Sequence, residues 1–464
     1  MILKQQLSSS ATASINAEPV FDAPSVRRVA MLSVHTSPFA TLGGPSAGGM
    51  NVYIRELSRY LAERGVAIDV FTRRSEPDSP AIQQINQGVR LIQIDAGPPA
   101  PVDKDALFCF LPDFATEMAY LAIKEELHYD VIHSHYWLSG WAGHLFQRYQ
   151  PAPLAQMFHT LAHFKNATVV ADPTGPALTG QERRETALRA QVERRLMRVA
   201  DVIIAGNPDE RSQMVERLGA DEPKVRTIPP GIDLELFQPR DSWAARRALG
   251  LPEGPLVLFV GRIDPIKGID TLFSGFQQLV RGHDWQGAPP KLVFVGGLIE
   301  IDEQGSTMDA DLRLVATRAE QLGLADQVLF HGAQPREKLP LYYNAVDVCA
   351  VPSRYESFGL VAVEAMASGT PIVATRVGGL RFTIDDGVSG VLIPPSEPDA
   401  LAAALHQVLT DNALRSRMQV GARQTAIRFA WQTITSAVLG IYLELVTGRP
   451  DASAPTQLDY LFAS

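Results

Sequence analysis

Cysteine is scarce in this sequence, and its scarcity excludes two classes of small fold. The 464 residues contain only Cys109 and Cys349, which lie far apart along the chain. Such a pair cannot build a disulfide framework or a cysteine-rich zinc module, and it is typical of a reducing compartment. We therefore expect a cytoplasmic protein.

Long apolar runs and an excess of positive charge are also missing. No segment approaches the roughly 18 consecutive apolar residues of a membrane span, so we expect no membrane association. The formal net charge is −9, with both signs mixed along the chain, unlike the basic stripe of a nucleic-acid-binding protein. Any anion that binds must therefore be held by local features.

The two ends of the chain lack the patterns of folded elements. Residues 1–27 are rich in Ser and Ala and have no apolar core of signal-peptide length. Residues 448–464 carry turn-forming residues without periodicity. We predict a flexible N-terminal extension and a flexible C-terminal tail.

Between these ends, short apolar runs alternate with amphipathic segments. A chain of 464 residues suits two domains of roughly 200 residues each. An apolar run at 28–35 enters a Gly-rich loop at 43–50 and then an amphipathic stretch, which indicates strand, loop and helix. The pattern begins again at PLVLFVGRI, residues 255–263. The predicted fold class is α/β, with two doubly wound Rossmann-like domains, 28–232 and 240–430, and a cleft between them.

A hinge and a late helix complete the predicted organisation. Adjacent prolines and a glycine in the linker RTIPPGIDLELFQPRDS, residues 226–242, favour a hinge. Helical periodicity at about 431–447 predicts a helix beyond the second domain, and this helix could pack back on the first domain.

The Gly-rich loop is the first candidate binding site, because ligands of open α/β sheets bind beyond the carboxyl ends of the strands. It contains Gly43, Gly44, Gly48 and Gly49 and leads into a helix, whose free N–H groups and dipole favour an anion. Its spacing fits neither G-x-G-x-x-G nor the P-loop. We expect it to seat a phosphate or a sugar; a plain flexible connection is the alternative.

Two motifs in the second domain carry charges suited to a diphosphate and to the hydroxyls of a sugar and a ribose. GRIDPIKG places Arg262 and Lys267 just after a strand, where two cations can neutralise a departing diphosphate without a metal. In SRYESFGLVAVEAMASG, the carboxylates of Glu356 and Glu364 can accept hydrogen bonds from sugar and ribose hydroxyls. Glu364 has apolar neighbours in sequence and needs a partner if it is buried. Solvated cations and an exposed helix glutamate are the alternatives.

The first domain contains a mixed polar cluster. His133 and His135 have no third ligand at a metal-binding spacing, so we expect no metal site and no cofactor. A lone histidine at a strand end, such as His159, is more often structural. Four side chains from separate segments could together bind a phosphate, namely Lys104, Tyr136, Thr160 and Arg189.

The Gly-rich loop with Asn51, the GRxxxxKG motif and the ExFGLxxxEAxAxGxP motif together resemble the retaining glycosyltransferases of family 4, which have the GT-B fold. The resemblance covers about residues 28–445. It implies that the first domain binds the acceptor and the second domain binds a nucleotide sugar.

The resemblance also implies roles for individual residues. Arg262 and Lys267 would hold the donor diphosphate, Glu356 would contact the transferred sugar, and Glu364 would bind the ribose hydroxyls. Further donor contacts would come from Gly49 and Asn51. The implied catalytic residues are Arg262, Lys267, His159 and Glu356.

Within the family, AGGMNVY, IHSHYWLSG and HTLAxxKN look most like the mycothiol-pathway branch, which adds N-acetylglucosamine to inositol phosphate. This likeness implies a UDP-linked donor such as UDP-N-acetylglucosamine. It also implies that the four-residue cluster of the first domain binds the acceptor phosphate. Sucrose-phosphate synthases share much of the pattern, use UDP- or ADP-glucose with fructose 6-phosphate, and favour Gln where this chain has Met50. The acceptor stays open between the two.

Two departures from the family pattern bear on these assignments. The segment 166–185, which precedes Arg189, does not align with the family. Gln334 stands where a basic residue is expected near the base pocket, which leaves the base preference open.

The retained configuration that the resemblance implies needs either a carboxylate nucleophile or departure and attack on one face. No Asp or Glu in the first-domain motifs is placed as a nucleophile, which favours same-face substitution. A nucleotide-sugar epimerase and a non-catalytic nucleotide-sugar-binding module are the rival functions. The expected partners are small molecules, and a homodimer is compatible with the sequence.

Overall fold

The computed structural model describes most of the chain between the two predicted flexible ends. Most of residues 1–27 and 448–464 lie outside the described residues, as do Gly43 and Gly44 of the Gly-rich loop and most of the segment 166–185. The described ranges are 26–39, 48–104, 106–162, 180–285, 287–302, 305–448 and 458–462.

A largely parallel sheet forms the core of the first domain. Its strands are β1 (Arg28–Leu32), β2 (Ala67–Arg73), β3 (Ile82–Asn86), β4 (Val89–Ile94), β5 (Val131–His135), β6 (Leu154–Met157), β7 (Val202–Ala205) and β8 (Val225–Thr227). They are ordered β3-β4-β2-β1-β5-β6-β7-β8. The central strands are apolar because helices cover both faces. The sequence pattern did not predict β3, a mostly exposed polar edge strand that pairs antiparallel with β4.

The helices of the first domain follow its strands, as the alternating pattern predicts. In the first of them, α1, the buried residues Tyr53, Ile54, Leu57 and Leu61 recur at helical spacing and face the core. The helices are α1 (Gly49–Ala62), α2 (Leu111–Lys124), α3 (Tyr136–Phe146), α4 (Gly180–Val199) and α5 (Pro208–Glu216).

One described segment, Ala106–Lys124, is long and apolar enough by length and composition to cross a membrane. This segment includes α2, which packs against α3. Its side chains Leu111, Phe114 and Met118 are buried in the core beneath the first sheet. These contacts account for its apolar face within the fold.

The second domain is built on a parallel sheet with strand order β13-β10-β9-β14-β15-β16, beside a separate antiparallel hairpin, β11-β12. Its strands are β9 (Leu256–Val260), β10 (Lys291–Val295), β11 (Ile299–Asp302), β12 (Gly305–Met308), β13 (Val328–Phe330), β14 (Val348–Val351), β15 (Ile372–Thr375) and β16 (Gly390–Ile393). The helices are α6 (Ser242–Leu249), α7 (Ile269–Arg281), α8 (Ala310–Gln321), α9 (Leu339–Ala345), α10 (Leu360–Ala367), α11 (Leu380–Thr383), α12 (Pro398–Thr410) and α13 (Asn412–Ile427).

The backbone passes between the domains at two places that lie side by side. The last long helix, α14 (Trp431–Thr447), packs on α1 and β5 of the first domain. Where the chain enters it, Ile232 of the linker donates its N–H to Phe429 O at 2.8 Å and accepts from Trp431 N at 3.2 Å. A Cβ on Gly231 would lie 2.3 Å from the Trp431 ring, so the linker backbone needs glycine here.

The loops at the carboxyl ends of the two sheets face each other. Asn207, which follows β7, donates from Nδ2 to the carbonyl of Ser357 beyond β14 at 2.6 Å. A Cβ on Gly49, at the start of α1, would lie 3.0 Å from Leu360 Cδ1 at the start of α10. Loops and helix starts of the two domains therefore meet at one boundary.

Candidate functional site

Lys267 and Glu356, 89 residues apart in sequence, form an ion pair with 2.6 Å between Nζ and Oε2. Lys267 ends a short 3-10 turn, Pro265–Lys267, that begins just after β9. The turn depends on Gly268, which has φ +67° and whose Cβ, if present, would lie 2.0 Å from Pro352 O. The GRxxxxKG glycine therefore lets the cation approach the loop that carries Glu356.

A pair of glycines after β15 holds the backbone of Glu356. Gly379 donates its N–H to Glu356 O at 2.8 Å. Gly378 has φ +44°, and a Cβ there would lie 2.1 Å from the same oxygen. Sequence reasoning missed these two residues, although a Gly-Gly pair after a strand was a visible signal.

Arg262 belongs to the same loop as Lys267 but points elsewhere. Its side chain is 59% exposed, and Nη2 lies 3.6 Å from Asp264 Oδ2. The structure therefore places one predicted diphosphate cation in a partly buried pair and the other in a loose surface contact.

Glu364 is buried in α10, and each of its oxygens has a partner, as expected for a carboxylate among apolar neighbours. Oε2 accepts from the Tyr343 hydroxyl at 3.0 Å, and Oε1 lies 3.3 Å from Arg336 Nε. Burial raises the pKa of Glu364, and the neighbouring Arg336 and Tyr343 oppose that rise. Sequence reasoning missed Arg336 and Tyr343.

Gly49 and Asn51 begin α1 at the boundary between the domains. Asn51 is buried, and its Nδ2 lies 3.4 Å from Thr36 Oγ1 and 3.3 Å from Ser37 O. Its Oδ1 is buried without a hydrogen-bond partner among the described residues. An unsatisfied buried acceptor is unusual in proteins and is a position that a ligand donor could fill.

Arg189 contacts two of the other predicted phosphate-binding residues of the first domain. Its Nη2 donates to Thr160 O at 2.6 Å and lies 3.3 Å from Thr160 Oγ1, and its Cζ lies 4.8 Å from the centre of the Tyr136 ring. Glu193, one turn further along α4, accepts from Arg189 Nε at 2.7 Å. The helix thus fixes the guanidinium beside Thr160 and Tyr136.

Lys104 lies on the same side of the first domain. Burial lowers the pKa of His35 to about 3, and the nearby charges of Lys104 and Arg189 contribute to this decrease. The ring of His35 is 4.5 Å from the ring of Tyr136. The structure therefore brings the four predicted phosphate residues to one neighbourhood, although their function remains a prediction.

Two of the predicted site residues adopt a left-handed backbone at the ends of adjacent strands. Tyr136 follows β5 with φ +75°, and His159 follows β6 with φ +59°. Thr160 N donates to Phe158 O at 2.7 Å, which closes a tight turn around His159. Such conformations are unfavourable for residues other than glycine and concentrate at functional sites.

Buried histidines connect this region to α1 and α14. His159 Nε2 lies 3.0 Å from His135 Nδ1, and His133 Nδ1 lies 2.6 Å from the hydroxyl of Tyr442. Burial lowers the pKa values of His133 and His159 to about 3, so both rings are neutral near pH 7. Within the described ranges, no three His, Cys, Asp or Glu side chains converge as a group that could hold a metal ion.

Gln334 lies two residues before Arg336, which the missed residue Glu56 contacts from the first domain. Gln334 donates from Nε2 to His331 O at 2.7 Å, so in this structure its side chain supports its own loop. Glu56 of α1 is buried and lies 3.2 Å from Arg336 Nη1. No sequence signal could have found this pair, because its members are 280 residues apart.

Family models and relatives agree with this architecture. Residues 47–236 match the model for Glycosyltransferase Family 4, and residues 241–425 match the model for glycosyl transferases group 1. D-inositol 3-phosphate glycosyltransferase from Acidothermus cellulolyticus is 40% identical over 429 residues, 92% of this chain and 92% of the relative. The relative of the same name from Nocardiopsis dassonvillei is 41% identical over 417 residues, covering 89% and 94%.

A solved structure shares the whole arrangement. Sucrose-phosphate synthase from Thermosynechococcus elongatus superposes with a TM-score of 0.79 at 33% sequence identity, covering 91% of this chain and 100% of that one. Identity and coverage at these levels, on two opposed Rossmann-like domains, show common descent. The chain belongs to glycosyltransferase family 4 and is a glycosyltransferase with the GT-B fold.

Proposed function

We propose that this glycosyltransferase moves a sugar, with retention of configuration, from a UDP-linked donor such as UDP-N-acetylglucosamine to inositol phosphate. The observation that carries the proposal is the convergence of Arg189, Thr160 and Tyr136, with Lys104 nearby, in the first domain of a chain whose second domain holds the Lys267–Glu356 pair. Relatives named D-inositol 3-phosphate glycosyltransferase align with 92% and 89% of this chain, which supports the acceptor.

The donor site lies in the second domain. Lys267 and Arg262 meet the diphosphate, Glu356 contacts the sugar, and Glu364 accepts hydrogen bonds from the ribose. Hydrogen bonds to charged groups contribute about 1.5–3 kcal/mol each, so two cations can lower the barrier by several powers of ten. No metal ion is required in this scheme.

The reaction proceeds by substitution on one face of the sugar. The bond between the anomeric carbon and the diphosphate oxygen breaks, and a bond to the acceptor hydroxyl oxygen forms on the same face. The hydroxyl proton passes to the departing phosphate oxygen. The neutral ring of His159 and the buried Asn51 line the sugar side, while the facing domains exclude water.

Transfer of glucose to fructose 6-phosphate is the second candidate reaction. It is supported by the likeness to sucrose-phosphate synthase at 33% identity over 91% of this chain. Both acceptors present a phosphate to the same cluster, so the phosphate-binding residues do not discriminate between them.

A matrix of donors against acceptors tests the proposal. UDP-N-acetylglucosamine, UDP-glucose and ADP-glucose are each combined with inositol 3-phosphate, fructose 6-phosphate and free inositol, with and without EDTA. Release of the nucleotide diphosphate and the anomeric configuration of the product are measured. We expect UDP release with inositol 3-phosphate, a retained anomer and no effect of EDTA.

Three results would contradict parts of this proposal. Reaction with free inositol while both phosphorylated acceptors are inert would remove the phosphate-binding assignment. Conversion of the donor sugar without any acceptor would indicate an epimerase. Donor binding without turnover under every combination would indicate a binding module.

A further inference from the structure

Arg336 contacts three separate parts of the chain while its own side chain is only 4% exposed. Its Nη1 lies 3.2 Å from Glu56 Oε1 in α1 of the first domain, and its Nε lies 3.3 Å from Glu364 Oε1 in α10 of the second. Its Cζ lies 4.9 Å from the centre of the Phe237 ring in the linker. One cation therefore bridges both domains and the segment that joins them.

The ion pairs continue from Glu56 to the linker. Glu56 Oε2 accepts from Arg59 Nη2 at 2.9 Å, and the same nitrogen lies 3.0 Å from Asp233 Oδ2. Asp233 directly follows Ile232, the residue where the two passages between the domains are hydrogen-bonded. A chain of alternating charges thus runs from the hinge to Glu364.

Glu364 depends on this series of ion pairs more than an exposed carboxylate would. Because it is buried, its ionised form is favoured only while a cation and a hydroxyl group face it. Arg336 supplies the cation and Tyr343 the hydroxyl, and together they fix the plane of the carboxylate. The carboxylate is then pre-oriented toward one side.

We propose that Arg336 is a positioning residue that orients Glu364 for the donor ribose only when Glu56 of the first domain is in contact. This inference rests on the proposed role of Glu364 in donor binding. It makes donor affinity depend on how closely the two domains approach. Acceptor affinity is independent of this series of ion pairs, because the acceptor residues lie in the first domain alone.

Two variants separate the two contacts. Arg336→Gln removes the cation beside Glu364, whereas Glu56→Gln leaves Arg336 and Glu364 paired and removes the charge that faces Arg336 across the boundary and Arg59 within α1. Matched controls are Arg313→Gln, an exposed arginine of α8, and Glu63→Gln, an exposed carboxylate directly after α1 that contacts Nη1 of Arg59.

The probes are UDP and 2′,3′-dideoxy-UDP, which lacks the ribose hydroxyls, and both dissociation constants are measured by calorimetry without acceptor. We expect wild type and both controls to prefer UDP by at least about tenfold, as loss of a hydrogen bond to a charged group predicts. We expect Arg336→Gln to abolish this preference and Glu56→Gln to reduce it severalfold, with the KM for acceptor unchanged in Glu56→Gln.

The outcomes are distinguishable. If wild type fails to bind UDP or does not prefer it, the proposed donor site fails and this inference fails with it. If wild type prefers UDP and Arg336→Gln still does, the positioning role is overturned while the proposed function stands. If Arg336→Gln does not fold, Glu56→Gln decides, and an unchanged preference in that variant overturns the link between the domains.

Discussion

The ammonium of Lys267 lies 2.6 Å from the carboxylate of Glu356, so the cation proposed to meet the departing diphosphate is already paired within the protein. A diphosphate must therefore draw Lys267 from Glu356 or share it. Glu356 would become available to the sugar at the same moment. The pair couples the two halves of donor recognition in one contact.

Replacing Lys267 should damage catalysis more than folding. We expect Lys267→Ala to lower kcat by about a hundredfold or more, because a charge-assisted contact to the leaving group is lost. Glu356 remains 18% exposed and can be solvated, so the melting temperature should change little. Steady-state kinetics and thermal unfolding check both expectations, with the exposed Lys338→Ala as control. Near-native turnover would remove the assigned role.

Arg189 should control acceptor affinity. We expect Arg189→Ala to raise the KM for a phosphorylated acceptor by about 10- to 100-fold while the KM for donor stays constant, because one charge-assisted contact is removed. Arg198→Ala, an exposed arginine of the same helix, is the control. An equal rise for free inositol would show that the phosphate is not what Arg189 contacts.

Glu193 should act through Arg189. It accepts from Arg189 Nε at 2.7 Å, and it also accepts from the backbone N–H of Ala162 at 3.0 Å. We expect Glu193→Gln to raise the KM for acceptor by a smaller factor than Arg189→Ala, because the guanidinium is less firmly held. If the KM of the double variant rose by the product of the two single effects, rather than by the Arg189→Ala effect alone, independent roles would be indicated instead.

The buried histidines should make the protein sensitive to acid. The pKa of His133 is lowered to about 3, so the unfolded chain binds a proton below pH 6.5 that the folded protein does not. Stability attributable to His133 is therefore present above pH 6.5 and is lost as the pH falls toward 3, with a slope of about 1.4 kcal/mol per pH unit. We expect His133→Gln to lessen the pH dependence of the free energy of unfolding by that slope.

Urea unfolding at several pH values measures this dependence. His128→Gln, an exposed histidine of the same domain, is the matched control. Parallel pH profiles for wild type and His133→Gln would contradict the prediction.

Gly268 should be required by the loop that carries Lys267. Its φ of +67° and the 2.0 Å approach of a Cβ to Pro352 O predict that Gly268→Ala displaces the loop and lowers donor affinity. Gly250 has a similar φ of +63°, with no atom within 4 Å of its Cβ position. Gly250→Ala should therefore show only the conformational cost of about 1–2 kcal/mol in stability and no change in donor KM. Equal effects of the two variants would contradict the steric argument.

The sequence was sufficient for what depends on local pattern. Apolar runs such as residues 255–263 predicted a strand, and β9 (Leu256–Val260) lies within that run. The polar strand β3 was missed because an exposed edge strand carries no apolar signal. The left-handed backbone of Tyr136 and His159 was also beyond prediction, because Tyr does not favour that conformation and His, although enriched in it, adopts it only occasionally.

Long-range charge pairing was the other part that the sequence could not reveal. Arg336 was unremarked because its partners, Glu56 and Glu364, lie 280 and 28 residues away. By contrast, Glu364 was marked by its apolar neighbours, which made a buried carboxylate with a partner predictable. The local sequence shows that Glu364 must have a partner, and only the fold shows which residue that partner is.

The paired crossings at Ile232 and Phe429–Trp431 mean that the two domains are joined by two lengths of backbone. After a protease cut in the linker, the packing of α14 on the first domain would hold the two fragments together without a covalent bond. They would co-elute on a sizing column until denatured. Two adjacent backbone segments also resist twisting far better than one segment does. Relative motion of the domains is thereby confined to a hinge rotation about a single axis.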